Sequence, residues 1–503
     1  MVIYPFVFAI FPILFLYAFN IDQTPFKDAI IPLLISLAAV AVLFLLLWLA
    51  LKSAAKAGLI SSVFVVLFFS YGPFLHVLHK TFLKAVPDNA FTAVFALVFI
   101  LLAALIIRHK GDFKKLTKML NVVAVVLIAL SIINITVYGI SASSRNRQTH
   151  RGVPVKKIVG LDRSKLPDVY YIILDAYVGQ QTLKDFFKYD NSEFTGFLKE
   201  KGFYVASESR SNYPETFLSL ASSLNMEYVN FLTKECGKNS KSRYIPYKMI
   251  ENNAVSHFFK LNGYKVVVLA SNWVGTRRFK DADLLMARNT VFEQEFTDVL
   301  IKSTLLRTVV NIGGVASREG VQYMFSELPE IQGMIEGPRF VFAHVICPHP
   351  PYLFDRNGNP VKDSGEATTW GDRKDDYLNQ LIYVNKRIKQ FVSEILAKSK
   401  RPPVIILQAD HGTAFVLGTA WDKWIKPSAE GVRERTGILN AYYLPALGEG
   451  TPYETITPVN SFRLVFDRYF KTSYGQLDNR VYWSSYDHPY VFIDVTDTAL
   501  GSK

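Results

Sequence analysis

The chain has 503 residues, of which half are hydrophobic and 14% aromatic, and it carries a formal net charge of +13. That composition excludes a disordered polypeptide and allows two or three domains. The basic excess is concentrated early, with 12 of the 56 basic and only 4 of the 43 acidic side chains in the first 150 residues. This pattern favours anionic lipid head groups over nucleic acid as the charged partner, and it reads equally as charge that only fixes membrane topology.

In chain order, five apolar stretches come first, at 3–19, 29–51, 59–78, 91–107 and 119–140. Each approaches the roughly 20 residues that span a bilayer, so five transmembrane helices are expected over residues 1–141. The first lacks the charged n-region and small-residue cleavage site of a signal peptide. An odd number of crossings puts the two ends of this region on opposite sides. The orienting charges are nearly balanced. Lys52, Lys56, Arg108, Lys110, Lys114, Lys115 and Lys118 fall on one side. Lys27, Lys80, Lys84, Arg145, Arg147, Arg151, Lys156 and Lys157 fall on the other. The cluster around Lys110 sits in a short loop, where the positive-inside rule is strongest. It favours that loop as cytoplasmic and the C-terminal region as extracytoplasmic. Cys236 and Cys347 provide no disulfide framework.

Residues 142–166 have no apolar periodicity and are rich in Ser, Arg and Lys, and they read as a basic juxtamembrane linker. From 167 onward short apolar runs alternate with amphipathic segments. The runs are DVYYIILD (168–175), YKVVVLAS (264–271), RFVFAHVI (339–346), PVIILQAD (403–410) and ILNAYYLP (438–445), with helical patterns over about 182–200 and 375–398. Such alternation predicts an α/β domain over 167–503 with a mainly parallel central sheet covered on both faces.

In such sheets ligands bind beyond the carboxyl ends of the strands, and three runs end in metal-ligating residue types. One closes on Asp175, one on Asp410 followed by His411, and the third runs into Cys347-Pro348-His349. Taken singly, each reads as a helix cap or loop residue. Converging on one sheet edge, two carboxylates and an imidazole need a divalent cation, and Zn or Mn suits that donor set, with Mg also possible. A nucleophile is available in SRSNYPETFLSLASSLNMEYVNFL (209–232). Tyr213-Pro214-Glu215 interrupts the chain, and Phe217, Leu220, Leu224 and Tyr228 then recur at helical spacing, which puts Thr216 near a helix N-terminus. On local sequence alone Thr216 reads first as a helix cap. A metal-held hydroxyl in that position would also make an attacking group suited to a phosphoryl centre.

The ordered motifs YYIILDAY, NYPETFLSLASSLN, HPPY and QADHG, spread over residues 167–470, resemble the alkaline phosphatase/sulfatase superfamily. The preceding apolar spans resemble its membrane-anchored lipoteichoic acid synthase and phosphoethanolamine transferase branch. The resemblance implies an extracytoplasmic sulfatase-like domain on a bacterial-type inner membrane. It implies Asp175, Thr216, Asp410 and His411 as ligands of one divalent metal ion, Thr216 as nucleophile and His349 as the contact to substrate phosphate. Arg210, Asn212, Trp273 and Arg277 are candidates for a head-group pocket, Arg being suited to phosphate oxygens, and each taken singly reads first as ordinary surface or framework. No C/S-x-P-x-R motif accompanies Cys236 or Cys347, which argues against sulfate ester hydrolysis. Related enzymes commonly place Glu where this chain has Asp175. The expected activity is transfer of a phosphoryl-linked head group from a membrane phospholipid to an envelope glycan or polymer. A phosphodiesterase or phosphatase using water, and a non-catalytic envelope-assembly protein, are the alternatives.

Overall fold

The computed structural model describes all residues except 22, 82–87, 146–151, 163–164, 289–294, 311–316, 362–369, 372, 446–451 and 502–503. Of the charges weighed for orientation, Lys84, Arg147 and Arg151 lie outside the described residues. The chain divides into two compact units, Met1–Gln148 with Asn289–Gly314, and Thr149–Arg288 with Val315–Lys503.

The first unit is built on helices Tyr4–Phe19, Lys27–Leu51, Ala54–Thr81, Asp88–Arg108 and Lys114–Arg145. Four of them are long and apolar enough to cross a membrane. Tyr4–Phe19 has 16 residues and reaches about 24 Å at 1.5 Å per residue, less than the roughly 30 Å hydrocarbon core. The expectation of five spans is therefore met in length by four. Their outward surfaces are apolar, with Leu34, Leu46, Ile100 and Val122 each about 60% exposed, as suits helices whose solvent is lipid. Lys52 ends the second helix in a left-handed conformation, its N–H bonded to the Trp48 carbonyl, which turns the chain back within a few residues.

Sequence texture does not signal that residues 295–310 pack with these helices. The Glu295–Lys302 helix buries Phe296 and Leu300 against Ile13, Tyr17 and Ala29. The Gly72 N–H donates to the Ser303 carbonyl at 3.1 Å. A Cβ on Gly72 would lie 2.4 Å from the Lys302 carbonyl oxygen, so only glycine permits this approach.

The second unit centres on a seven-stranded sheet. The strands are β1 (Val169–Leu174), β2 (Tyr204–Val205), β3 (Lys265–Leu269), β4 (Leu284–Met286), β5 (Arg339–Val345), β6 (Val404–Gln408) and β7 (Asn440–Tyr443). Their order is β2-β7-β6-β1-β5-β3-β4. Pairing is parallel from β6 through β1, β5 and β3 to β4, and β7 alone runs against its neighbours. The β1, β5 and β6 runs are buried on both faces, as a covered parallel sheet requires. One face carries Tyr170, Ile172 and Leu174 and packs on the Lys374–Lys398 helix through Leu381, Val384, Ile388 and Phe391. The other carries Tyr171 and Ile173 and packs on the Thr216–Ser223, Ala254–Leu261 and Pro458–Tyr469 helices. The predicted helical stretch at 182–200 is two helices, Gln180–Phe187 and Ser192–Glu200, because Lys188 turns left-handed between them. The hairpin of β8 (Tyr482–Ser485) and β9 (His488–Asp494) was not anticipated. Its short strands follow a polar stretch without clear alternation.

The second face depends on an aromatic cluster in which Phe462 meets Tyr171 at 4.9 Å and Phe340 at 5.8 Å between ring centroids. Phe462 is fully buried. Phe462→Ala is expected to destabilise this unit by about 3–5 kcal/mol, read as a lowered thermal unfolding midpoint of the full-length protein.

Candidate active site

β1, β5 and β6 are neighbours, so the residues after them meet at one edge of the sheet. The Asp175 N–H donates to the Val345 carbonyl at 3.0 Å, and the His349 N–H to the Asp175 carbonyl at 3.1 Å, which ties the β1 end to the loop after β5. Ala176 is left-handed at φ 61°, a conformation that costs a non-glycine residue of order 1 kcal/mol or more. The turn aims its N–H at Asp410 Oδ1, 3.2 Å away.

Around this edge stand Asp175, Asp410 and His411, all at least 96% buried. His411 Nε2 lies 3.6 Å from Asp175 Oδ1, 3.3 Å from Asp410 Oδ2 and 3.0 Å from the Thr216 hydroxyl. Thr216 is the first residue of its eight-residue helix, with Glu215 at the N-cap. The helix ends at Ser223, so Tyr228 lies beyond it, past a left-handed Met226. A bond from the Ser219 hydroxyl to the Asp410 carbonyl at 2.7 Å fastens the helix to the β6 end. The four residues expected to hold a metal are therefore together. His349 joins them, its ring centroid 6.0 Å from that of His411 and 5.1 Å from that of Trp370, and it is the half-buried imidazole of the group.

His344 also belongs to the cluster, although the sequence pattern does not single it out. It is fully buried in β5 on the Thr216 side of the sheet, opposite Ile173, with Nε2 3.4 Å from Asp175 Oδ2. Its Nδ1 is 3.0 Å from the Thr276 hydroxyl, and the Trp273 ring meets it edge-on at 5.5 Å. The available signal was a lone imidazole inside an otherwise apolar strand, two residues before the strand's polar exit.

The donor set fits a divalent cation. Asp175 Oδ1, Asp410 Oδ2 and His344 Nε2 are buried without a hydrogen-bond partner, a costly state unless a cation satisfies them. Ligand atoms of Asp175, His349 and His411, and of Asp175, His344 and Asp410, form two compact trios. Both contain Asp175, so they describe one centre. His411 Nδ1 faces the Gly412 carbonyl at 2.9 Å. Donating there leaves a lone pair on Nε2, and burial together with Arg435 holds the ring well below the ordinary histidine range, which favours the neutral form that a metal needs.

Burial and the adjacent Asp175 carboxylate push Asp410 up to about 7. Asp175 goes the other way, because His349, His344 and His411 surround it and outweigh its burial. Glu215, beside the nucleophile candidate, is also raised by burial to about 7, against the pull of Arg435 and Arg243.

Two neighbours in sequence, Glu434 and Arg435, hold the loop after β6. Glu434 accepts from the Thr413 hydroxyl and from the N–H groups of Phe415 and Val416 at 2.7–2.8 Å. Arg435 donates to the Pro214 and Gly412 carbonyls at 2.8 and 2.9 Å, bridging the Thr216 turn to the Asp410-His411 turn. Gly412 fits because a Cβ there would sit 2.2 Å from the Glu434 carbonyl oxygen and 3.1 Å from that of Arg435.

The four head-group candidates fall differently. Arg210 donates to the Ala499 and Ser209 carbonyls. Asn212 donates to the Arg480 carbonyl and accepts from the Val459 N–H. The hydrogen bonds of both thus go to backbone. Trp273 stands against His344 at the cluster's edge. Arg277 follows the Val274–Thr276 turn and is half-buried.

Four outcomes follow. Asp410→Asn should remove the bound metal, measured by elemental analysis of the purified protein, and with it the activity. Gly412→Ala should displace the loop and weaken metal retention, read in the same assay. Metal affinity should weaken as pH falls through about 7, by up to about tenfold per unit, because Asp410 must lose a proton to bind. Without metal the sign reverses. A folded value above the ordinary Asp value of about 3.9 means the native state holds the extra proton between about pH 4 and 7, so this group's contribution to stability falls as pH rises across that window. Competition titrations with a chromophoric chelator at pH 6 and 8 check the first dependence, and thermal melts of metal-stripped protein check the second.

A family model described as Sulfatase matches residues 185–437, half of the chain. No curated protein sequence matches. Among solved structures, the chain is similar to the C-terminal periplasmic domain of EcEptC from Escherichia coli in complex with Zn, at 12% identity and TM-score 0.43, covering 68% of this chain and 96% of that one. It is similar to a phosphonate monoester hydrolase of Agrobacterium radiobacter at 11% identity and TM-score 0.40, covering 63% and 80%. It is also similar to the integral membrane lipooligosaccharide phosphoethanolamine transferase A of Neisseria meningitidis at 13% identity and TM-score 0.34, covering 85% and 82%. With Thr216, His349, Asp410 and His411 all inside the matched span, the chain belongs to the sulfatase family.

Proposed function

We propose that this sulfatase-family protein is a membrane-anchored phosphotransferase that moves a phosphoryl-linked head group from a phospholipid to an envelope glycan or polymer. The observation that carries the reading is the Thr216 hydroxyl at a helix N-terminus, 3.0 Å from His411 Nε2, beside two buried carboxylates with unsatisfied oxygens. A hydroxyl in the nucleophile position, with no C/S-x-P-x-R sequence, suits phosphoryl rather than sulfuryl chemistry. One divalent ion held by Asp175, Thr216, Asp410 and His411 would supply Lewis acidity and ease ionisation of the hydroxyl.

The protein's own residues then divide the work. Thr216 Oγ attacks phosphorus, and the bond from phosphorus to the diacylglycerol oxygen breaks. Thr216 loses a proton and diacylglycerol gains one, leaving a phospho-threonine diester. An acceptor hydroxyl displaces Thr216 in a second step of the same form. The unpaired N–H groups at the start of the Thr216 helix favour the anionic group. His349, half-buried where the metal ligands are enclosed, contacts the phosphate oxygens. Arg435 holds the nucleophile turn against the metal turn and so positions Thr216. Trp273 and Arg277 border the head-group side.

The membrane helices are the physical reason to prefer a lipid donor, because tethering raises its effective concentration at the site. In this reading Tyr4–Phe19 is a fifth, shorter crossing, the Lys110 loop is cytoplasmic and the catalytic unit is extracytoplasmic in a bacterial-type envelope.

The test uses full-length protein in vesicles containing phospholipid labelled in its phosphoryl head group, with isolated envelope glycan outside. Label should pass to the glycan while diacylglycerol accumulates. Thr216→Ala should reduce transfer by roughly 10³-fold or more with metal content largely retained. Label released only to water would select the hydrolase, and absence of both turnover and stoichiometric metal would select the non-catalytic protein.

A further inference from the structure

The end of the first unit away from the helix Lys114–Arg145 C-terminus contains a cleft of about 660 Å³. Lys56, Lys110, Lys114 and Lys118 line it, and Asp112 is the one acidic residue among the lining groups. Phe113 and Val2 contribute apolar surface beside them. The backbone around it is fixed. Asn121 accepts from the N–H groups of Ile3 and Tyr4 and donates to the Met1 carbonyl, and Ser53 caps the Lys56 N–H. Lys56 Nζ spends one hydrogen on the Ile107 carbonyl at 2.8 Å, while Lys114 lies 3.8 Å from Asp112 and remains 86% exposed. Two long helices begin at this cleft, Ala54–Thr81 and Lys114–Arg145, so the positive ends of their dipoles add to the lysines.

Fixing topology requires only lysines on one side of the bilayer. Here they converge on a walled space, and the helices leaving it expose Leu105, Met119 and Val122 outward. A ligand that joins a phosphate to an apolar body matches both parts. We propose that the cleft binds an anionic phospholipid, with its phosphodiester on the lysines and its glycerol and acyl portion along Phe113 and the adjoining helix faces. The cleft is lined by residues of the first unit alone, whereas the candidate metal centre is built from residues of the second unit alone, so occupancy of the one can be read without the other. The inference therefore stands or falls independently of the proposed transfer reaction.

The experiment measures lipid retained by delipidated full-length protein in detergent, by native mass spectrometry. The probes are phosphatidylglycerol, phosphatidylcholine and inorganic phosphate. Wild type should retain phosphatidylglycerol at least tenfold more than phosphatidylcholine, with no displacement by millimolar phosphate. Lys110→Gln combined with Lys118→Gln should lower retention at least tenfold. Lys110→Arg combined with Lys118→Arg should restore it, which separates loss of charge from loss of fold. Lys52→Gln combined with Lys115→Gln removes the same charge outside the cleft and should leave retention unchanged. Equal loss in that control would overturn the site in favour of general surface charge. Equal retention of the two lipids, unchanged retention in the Gln pair, or displacement by phosphate alone would also overturn it.

Discussion

Two carboxylates that face each other inside a protein repel and have lost their water. Asp175 and Asp410 are in that state because β1 and β6 are adjacent parallel strands in register, and each ends in an acid. A fold can keep such a pair only by sharing a proton or by supplying positive charge. Without a metal the pair does the first, Asp410 being pushed up to about 7 by burial and by Asp175, and a bound cation would do the second. His411, His344 and His349 crowd the two acids, the Ala176 N–H is turned into Asp410 through a left-handed residue, and Arg435 closes the loops from behind. The nucleophile candidate is placed by the same requirement, since the helix carrying Thr216 is fastened to the Asp410 carbonyl by Ser219.

Much of this was legible in the sequence because buried parallel strands leave a plain signature. Runs such as YYIIL and VIILQ have no polar alternation, so an acid at their end stands out. The order of the motifs then identified the family. His344 escaped because it lies within a run, where a single polar residue reads as a satisfied core histidine. Glu434 and Arg435 escaped because AEGVRERT reads as a charged surface helix, whereas both side chains are buried against the site loops. Charge alone does not reveal which charged residues the tertiary structure will cover.

The head-group candidates show the converse difficulty. Arg210 and Asn212 shortly precede the Thr216 turn in sequence, and both are chemically suited to phosphate. In the fold Arg210 Nε and the Asn212 amide donate to the backbone of the C-terminal region, at Ala499 and Arg480, and Arg210 also donates to the adjacent Ser209 carbonyl. Proximity along the chain placed them near the site, but the destination of their hydrogen bonds depended on segments nearly 300 residues away, which local pattern cannot foresee.

Residues 295–310 are translated after much of the second unit, yet they complete the packing of helices made at the very start. Biogenesis is thus interleaved: the membrane portion finishes assembling only once the ribosome is well into the enzyme portion. A soluble fragment begun after the fifth helix would carry Phe296 and Leu300 into water with no surface to receive them. The two halves are best regarded as a single heritable piece, one that recombination cannot exchange cleanly at the linker.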